Sequence, residues 1–223
     1  MSATSPFDYA AWVERARRFV ENVARVPGAD VRSASIAGPA ASVQLAAVEQ
    51  QLGRPLTHSL RELFTTGSAH LDCHYVLEPG DGVLDGILPD EKRIFGGARL
   101  GPLSELPEFS RSIGGWAAET WVADAPDQHA IWTSALPFAR MANGDSLALD
   151  LRAQDSDPPV VYLNHDDDSS VIAPNLAAFL DAWERLAYIG PEHRLLLEFV
   201  DGSGFLDPHS DRAARLRGML TTR

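Results

Sequence analysis

The stretch Asn164–Ser170, NHDDDSS, sets a histidine and three aspartates directly behind the apolar run PVVYL. Imidazole and carboxylate together can ligate a metal ion, pass a proton to a substrate, or simply solvate a turn. Consecutive side chains of an extended segment point to opposite sides, and adjacent carboxylates repel, so convergence on one ion is unfavourable. A calcium loop would alternate Asp and Asn ligands and add a glycine and a distant glutamate, a grammar this stretch lacks. Asp, Asn and Ser bond to nearby backbone groups and so favour turns. The residues read as a solvated hairpin turn whose carboxylates remain available as binding surface.

Two other groupings invite a chemical reading. In HLDCH, an extended backbone places His70, Asp72 and His74 on one face, and two imidazoles with a carboxylate are the ligand set of several zinc and iron sites. The plainer reading is that Leu71, Cys73 and Tyr75 fill the core, which makes the opposite face polar in any case; no metal or other cofactor is expected. GDSL, Gly144–Leu147, spells the signature of a serine esterase family. In those enzymes the serine follows the first strand near the N-terminus, and an Asp-x-x-His dyad lies near the C-terminus. Ser146 falls late, inside an alternating run, and the chain offers only Asp207-Pro208-His209. A nucleophile needs a base within hydrogen-bond reach, and nothing in the sequence supplies one.

These residues must be positioned by a chain of 223 residues, the length of one elaborated domain. A single cysteine, Cys73, excludes an intrachain disulfide or a Cys-based zinc site and fits a reducing compartment. The N-terminal MSATSPFDYAAWVERARR has no basic-then-apolar signal pattern, and no apolar run approaches the roughly 20 residues that span a bilayer. The expected location is the cytoplasm. The net charge of −12 is concentrated between Glu78 and Asp168, where 17 acidic residues face 6 basic ones. Such a field repels nucleic acid and anionic membranes and attracts basic proteins.

Helical spacing over 7–26 aligns Trp12, Ala16, Phe19, Val23 and Val26, and Pro27-Gly28 closes that helix. The Gly, Pro, Ala and Ser of 27–41 predict a connecting loop. A second helix is expected from Ser42 to Leu52, with Ser42 as cap and Val43, Ala46, Ala47 and Leu52 facing inward. A third follows over SLRELF, with Ser59 and Glu62 at capping-box spacing. LDCHYVL has strand alternation. Turns and short strands fill 79–107, and 106–123 reads as helical. HAIWTSAL, DSLALDL and PVVYL read as further strands, the last two joined through Arg152–Pro158. Asn175 caps a helix over LAAFLDAWERLAYI, and Asp207-Pro208 opens a final one. Trp12 and Trp183 belong to the core. Of the remaining tryptophans Trp116, Trp121 and Trp132, Trp132 is the candidate anchor for a partner, since interface hot spots are rich in tryptophan. Arg212, Arg215 and Arg217 read as a solvated helix face.

Helices first, strands in the middle and helices last argue for an α+β fold with a mainly antiparallel sheet. No G-x-G-x-x-G or P-loop motif is present, so the nucleotide-binding fingerprints are absent.

VQLAAVEQQLGRPLTHSLRELFTTGSA resembles the opening of the SUKH superfamily, the Smi/Knr-type domain. LPFARMANGDSLALDL, PVVYLNH and VIAPNLAAFLDAW are similar, in order, to that family's later strands and closing helix. Pro55-Leu56 reverses the family's usual Leu-Pro, and Thr66-Gly67 stands where Asn-Gly is usual. The resemblance covers roughly 42–187. It implies a SUKH-like domain over 42–190, an N-terminal helix and loop over 1–41 and a helical extension over 191–223, together one structural unit. It also implies a protein that is not an enzyme. Bacterial members are largely immunity proteins that neutralise toxins, often nucleases or deaminases, and fungal relatives regulate cell-wall synthesis through protein contacts. An Ala- and Arg-rich chain with one lysine, Lys92, looks bacterial.

The expectation is a protein toxin, encoded nearby, as partner. A basic nuclease cleft would meet the acidic surface as a phosphate mimic. The expected contact residues are Asp166, Asp167 and Asp168, with Asp145 and Asp150 nearby in the sheet, and Trp132 as aromatic anchor. The alternatives are a regulatory interaction module and, behind it, a GDSL-like esterase.

Overall fold

Seven strands form one antiparallel sheet in which each strand pairs with the next in sequence, from β1 (Ala29–Ile36) through β2 (Leu71–Leu77), β3 (Ile94–Leu100), β4 (Ala135–Arg140), β5 (Ser146–Asp150) and β6 (Val160–Leu163) to β7 (Ser170–Ala173). The computed structural model describes residues 7–141, 143–153, 157–190 and 192–220. Helices α1 (Tyr9–Val23), α2 (Ser42–Leu52) and α3 (His58–Glu62) precede or interrupt the first strands. Between β3 and β4 run α4 (Leu106–Ala117), α5 (Thr120–Ala123) and α6 (Pro126–Ser134). After β7 come α7 (Leu176–Arg185) and α8 (Asp211–Leu220). The α+β class and the antiparallel sheet agree with the sequence reading.

The helices form two unequal layers. The larger core runs from Tyr9 to Leu220 and joins α1, α3, α7 and α8 to one face of the sheet. Trp12 stacks near Trp183 at 6.2 Å and donates from Nε1 to the Leu180 carbonyl, which fastens the first helix to α7. Asn175 caps α7 by accepting from the Ala178 N–H at 2.8 Å, as its position before the apolar stripe predicts. A smaller core on the opposite face packs Phe109, Ile113, Ile131 and Trp132 against Ala148, Val161 and Leu163. All five residues of β5 are therefore buried. Its alternation of leucine with small residues separates two helix layers rather than core from solvent, and Ala148 is small enough to let α4–α6 approach.

Several elements differ from expectation. Residues 27–41 contain β1, an edge strand whose one face, with Ala29, Val31 and Ile36, packs partly buried on the main core while the other is exposed. HAIWTSAL is mostly helix: Pro126 starts α6 at a position that needs no N–H, and only its last residues enter β4. Two adjacent apolar residues, Ile131 and Trp132, fit either period, and packing on Ala148 and Val161 decides. In α2 the buried residues are Leu45 and Val48, whereas Val43 is exposed, and Gln44, not Ser42, serves the N-terminus by accepting from the Ala41 N–H. Thr57 rather than Ser59 caps α3. Asp207 accepts from the His209 N–H in a turn, and α8 begins four residues later at Asp211. The segment Glu192–Phe199 is a 3-10 helix that no periodicity announced.

Candidate functional site

NHDDDSS is the hairpin connecting β6 to β7. Its geometry is set from below by Asp145, which sits at the entry to β5 with 1 % exposure. Asp145 accepts four hydrogen bonds: from Tyr162 Oη at 2.5 Å, His165 Nδ1 at 2.7 Å, the His165 N–H at 3.0 Å and Asn143 Nδ2 at 2.7 Å. Burial alone would raise this carboxyl's pKa, but the donors from Tyr162, His165 and Asn143 outweigh it and hold Asp145 below the usual carboxylate range. An ionised Asp145 can only accept, so His165 carries its proton on Nδ1 and donates.

The rest of the turn is pinned in the same manner. The buried Asn164 accepts from the Asp166 N–H at 3.0 Å, and Ser169 Oγ accepts from the Asn164 N–H at 3.2 Å. Gln128 of α6 reaches across, accepting from the Ser169 N–H at 2.9 Å and donating to its carbonyl at 3.3 Å. Trp116 of α4 lies 5.5 Å from the His165 ring. Nothing in the run itself names these supports; the one available signal was Asp145, a carboxylate at the entry to a strand whose middle, Leu147 to Leu149, is apolar.

On this frame Asp166, Asp167 and Asp168 are all exposed. Asp166 stands near His165 Nε2 at 3.2 Å, and Asp167 pairs with Arg194 at 2.9 Å. The other expected contact residues lie elsewhere. Asp145 is the buried support just described. Asp150 is 3 % exposed and bound by Arg152 through its side chain and backbone N–H. Neither carboxylate is at the surface, which corrects their expected place in the contact face. Trp132 is 1 % exposed and belongs to the smaller core, so it is a packing residue and not an exposed anchor. The half-buried Trp116 lies nearer the acidic turn; the Trp121 side chain falls outside the described residues.

The remaining chemical groupings resolve into structure. Ser146 is 1 % exposed in β5, opposite Leu163 and Arg140. On β2, His74 Nδ1 lies 2.8 Å from Asp72 Oδ1, and Ser33 of β1 donates to the same carboxylate. His70 precedes the strand, and among the described residues no three His, Cys, Asp or Glu side chains are grouped to hold a metal ion. Burial pushes the Cys73 thiol up to about 12, so it is a neutral core residue. Among the described residues no helix is long and apolar enough to cross a membrane.

The depressed Asp145 carboxyl gives a pH signature. A group whose folded pKa lies below its unfolded value adds stability that is present above the unfolded pKa, about 3.9 for aspartate, and lost as pH falls through the folded one. Amide exchange at His165 and Asp166 is therefore expected to accelerate below about pH 4, ahead of amides in β2, once intrinsic rates are corrected for. Equal protection of both segments down to global unfolding would contradict this.

A family model described as SMI1 / KNR4 family (SUKH-1) matches residues 39–182. No curated protein matches the chain.

Proposed function

The chain belongs to the SMI1 / KNR4 family (SUKH-1), whose model spans well over half of it, and on that premise we propose that it is a non-enzymatic immunity protein which binds and neutralises a toxin made beside it. The observation that carries this reading is the β6–β7 turn, where three consecutive exposed carboxylates ride on a backbone fixed by part-buried hydrogen bonds. A surface ordered in advance spends little conformational entropy on association. Three adjacent negative charges steer a basic partner and offer charge-assisted hydrogen bonds on arrival. A nuclease-type toxin, whose phosphate-binding cleft must be basic, is the partner such a face fits. The work is done in the cytoplasm, with no cofactor.

Asp166 and Asp168 carry the contact, and Asp167, held by Arg194, sets their spacing. Exchanging both for lysine (Asp166→Lys with Asp168→Lys) is expected to weaken binding to the adjacent gene's product by at least about tenfold, chiefly through slower association. Raised salt should weaken the parent complex and affect the variant much less. The check is co-expression with that product in a growth assay, paired with binding kinetics. Unchanged protection by the variant would overturn the assignment of the turn. Several weak partners in place of one strong one would favour a regulatory interaction module.

A further inference from the structure

The smaller core draws on β4, β5 and β6 and on no residue of β1–β3, which leaves the same face of those first strands without a helix layer. There the sheet forms a cleft of about 530 Å³, a volume within the ordinary range for a ligand site. Val76, Phe95 and Met141 supply its apolar floor. Four arginines, Arg32, Arg93, Arg99 and Arg140, line it with His74, and among the described residues no carboxylate does, in a protein of net charge −12. From these we propose that the cleft binds an extended acidic segment of a partner protein, with one carboxylate at each end and an apolar side chain between them.

Local structure explains how the arginines gather. The register shift between Val31 and Ser33 leaves Arg32 as the extra residue of a bulge, a device that re-aims a side chain. Arg99 and Arg140 are direct cross-strand partners, and like charges so placed repel unless an anion lies between them. Arg140 rests 4.6 Å over the Phe109 ring and has no carboxylate partner among the described residues. Arg99 engages Glu105 through Nη2, leaving Nε without a hydrogen-bond partner among the described residues. At the other end Arg93 lies 5.9 Å over Phe95. Gly97, at φ +85°, is required by the pairing of β3 with β2, because a Cβ there would collide with the Cys73 carbonyl.

Spacing selects the occupant. Arg93 leans over Phe95, and from Phe95 to Arg99 is about 13 Å of extended strand at roughly 3.3 Å per residue. A single phosphate reaches one end only, whereas two carboxylates four residues apart on an extended peptide reach both. Among the described residues the carboxylates near these arginines lie outside the cleft; Glu105 keeps its hold on Arg99, whose cross-strand neighbour on β2 is Asp72. Asp30 meets Arg32 at 2.9 Å and Glu78 meets Arg93 at 3.5 Å, all four side chains more than half exposed. Such solvated pairs are weak and give way to a better-placed anion.

The test is fluorescence anisotropy with a labelled peptide containing Asp-Ala-Leu-Ala-Asp, compared with its Lys-Ala-Leu-Ala-Lys counterpart and with ADP as competitor. The aspartate peptide is expected to bind the intact chain, the lysine peptide not to, and ADP to displace it poorly. Reversing two exposed charges together, Arg93→Glu with Arg140→Glu, should cost at least about tenfold in affinity. Arg32→Glu, on the edge-strand bulge, gives an independent reading should the double variant lose its fold. The proposal is overturned if the aspartate peptide fails to bind at millimolar concentration, if ADP binds more tightly than it, or if folded charge-reversed protein retains full affinity. Because neither Asp166 nor Asp168 takes part, that outcome would leave the acidic turn's role untouched.

Discussion

An Asp145→Ala chain is expected to unfold in urea with about 3 kcal/mol less stability than the parent. The carboxylate is 1 % exposed and receives four hydrogen bonds, one each from Tyr162 and Asn143 and two from His165. Alanine leaves those donors facing a cavity without an acceptor, and each buried orphan costs about 1–3 kcal/mol in its own right, although the costs do not add fully. The measurement is the urea midpoint at an unchanged slope. Asp145→Asn keeps the shape but turns an NH2 toward existing donors, so it should recover only part of the loss. A change below about 1 kcal/mol would mean that water or rearrangement replaces the carboxylate, and the turn would then not be rigid in the sense required above. On the proposed function, protection should fall with stability in this variant, whereas the lysine substitutions at Asp166 and Asp168 should spare stability and lose protection.

The second large effect is expected at Trp183→Ala, about 4 kcal/mol. Trp183 is fully buried, lies within 5.7 Å of Phe179 and 5.3 Å of Tyr188, and donates from Nε1 to the Ile189 carbonyl at 2.8 Å. Its removal deletes the ring contact with Trp12 that joins α7 to α1 and strands that carbonyl. Because Trp12 packs on the same ring and is itself hydrogen-bonded to Leu180, Trp12→Ala combined with Trp183→Ala should cost less than the sum of the two. Full additivity in thermal or urea unfolding would show that the two rings do not share one packed site.

What could be read from the sequence followed the strength of the local signal. Helices α1 and α7 carry long apolar stripes, and α7 has its cap in Asn175, so period and punctuation agree. LDCHYVL alternates because one face meets the core and the other does not. The edge strand β1 was missed because its alternation is short: only Ala29, Val31 and Ile36 reach the core, and a register shift between Val31 and Ser33 interrupts the pattern. Trp132 was misplaced because two neighbouring apolar residues fit a strand or a helix equally, and the deciding contacts come from β5 and β6.

The acidic turn was legible as a turn, but its supports were not. Gln128 reaches Ser169 across 41 residues and Tyr162 reaches Asp145 across 17, distances over which composition says nothing. The arginine cleft was hidden for a related reason. Arg93, Arg99 and Arg140 belong to the most acidic part of the chain, and only the pairing of β3 with β4 brings two of them side by side.

Because each strand pairs with its sequence neighbours, a change confined to one connection leaves the register of the other pairs as it is unless that connection is itself packed into a core. These connections do not drift whole, because Leu84, Ile87 and Leu88 between β2 and β3, and Phe109, Ile113 and Trp132 between β3 and β4, are buried; what is free to vary is the exposed tip of a turn, as at Asp166, Asp167 and Asp168. On the proposed reading, recognition would be rewritten at such a tip, one exposed side chain at a time, with the buried supports beneath it left in place.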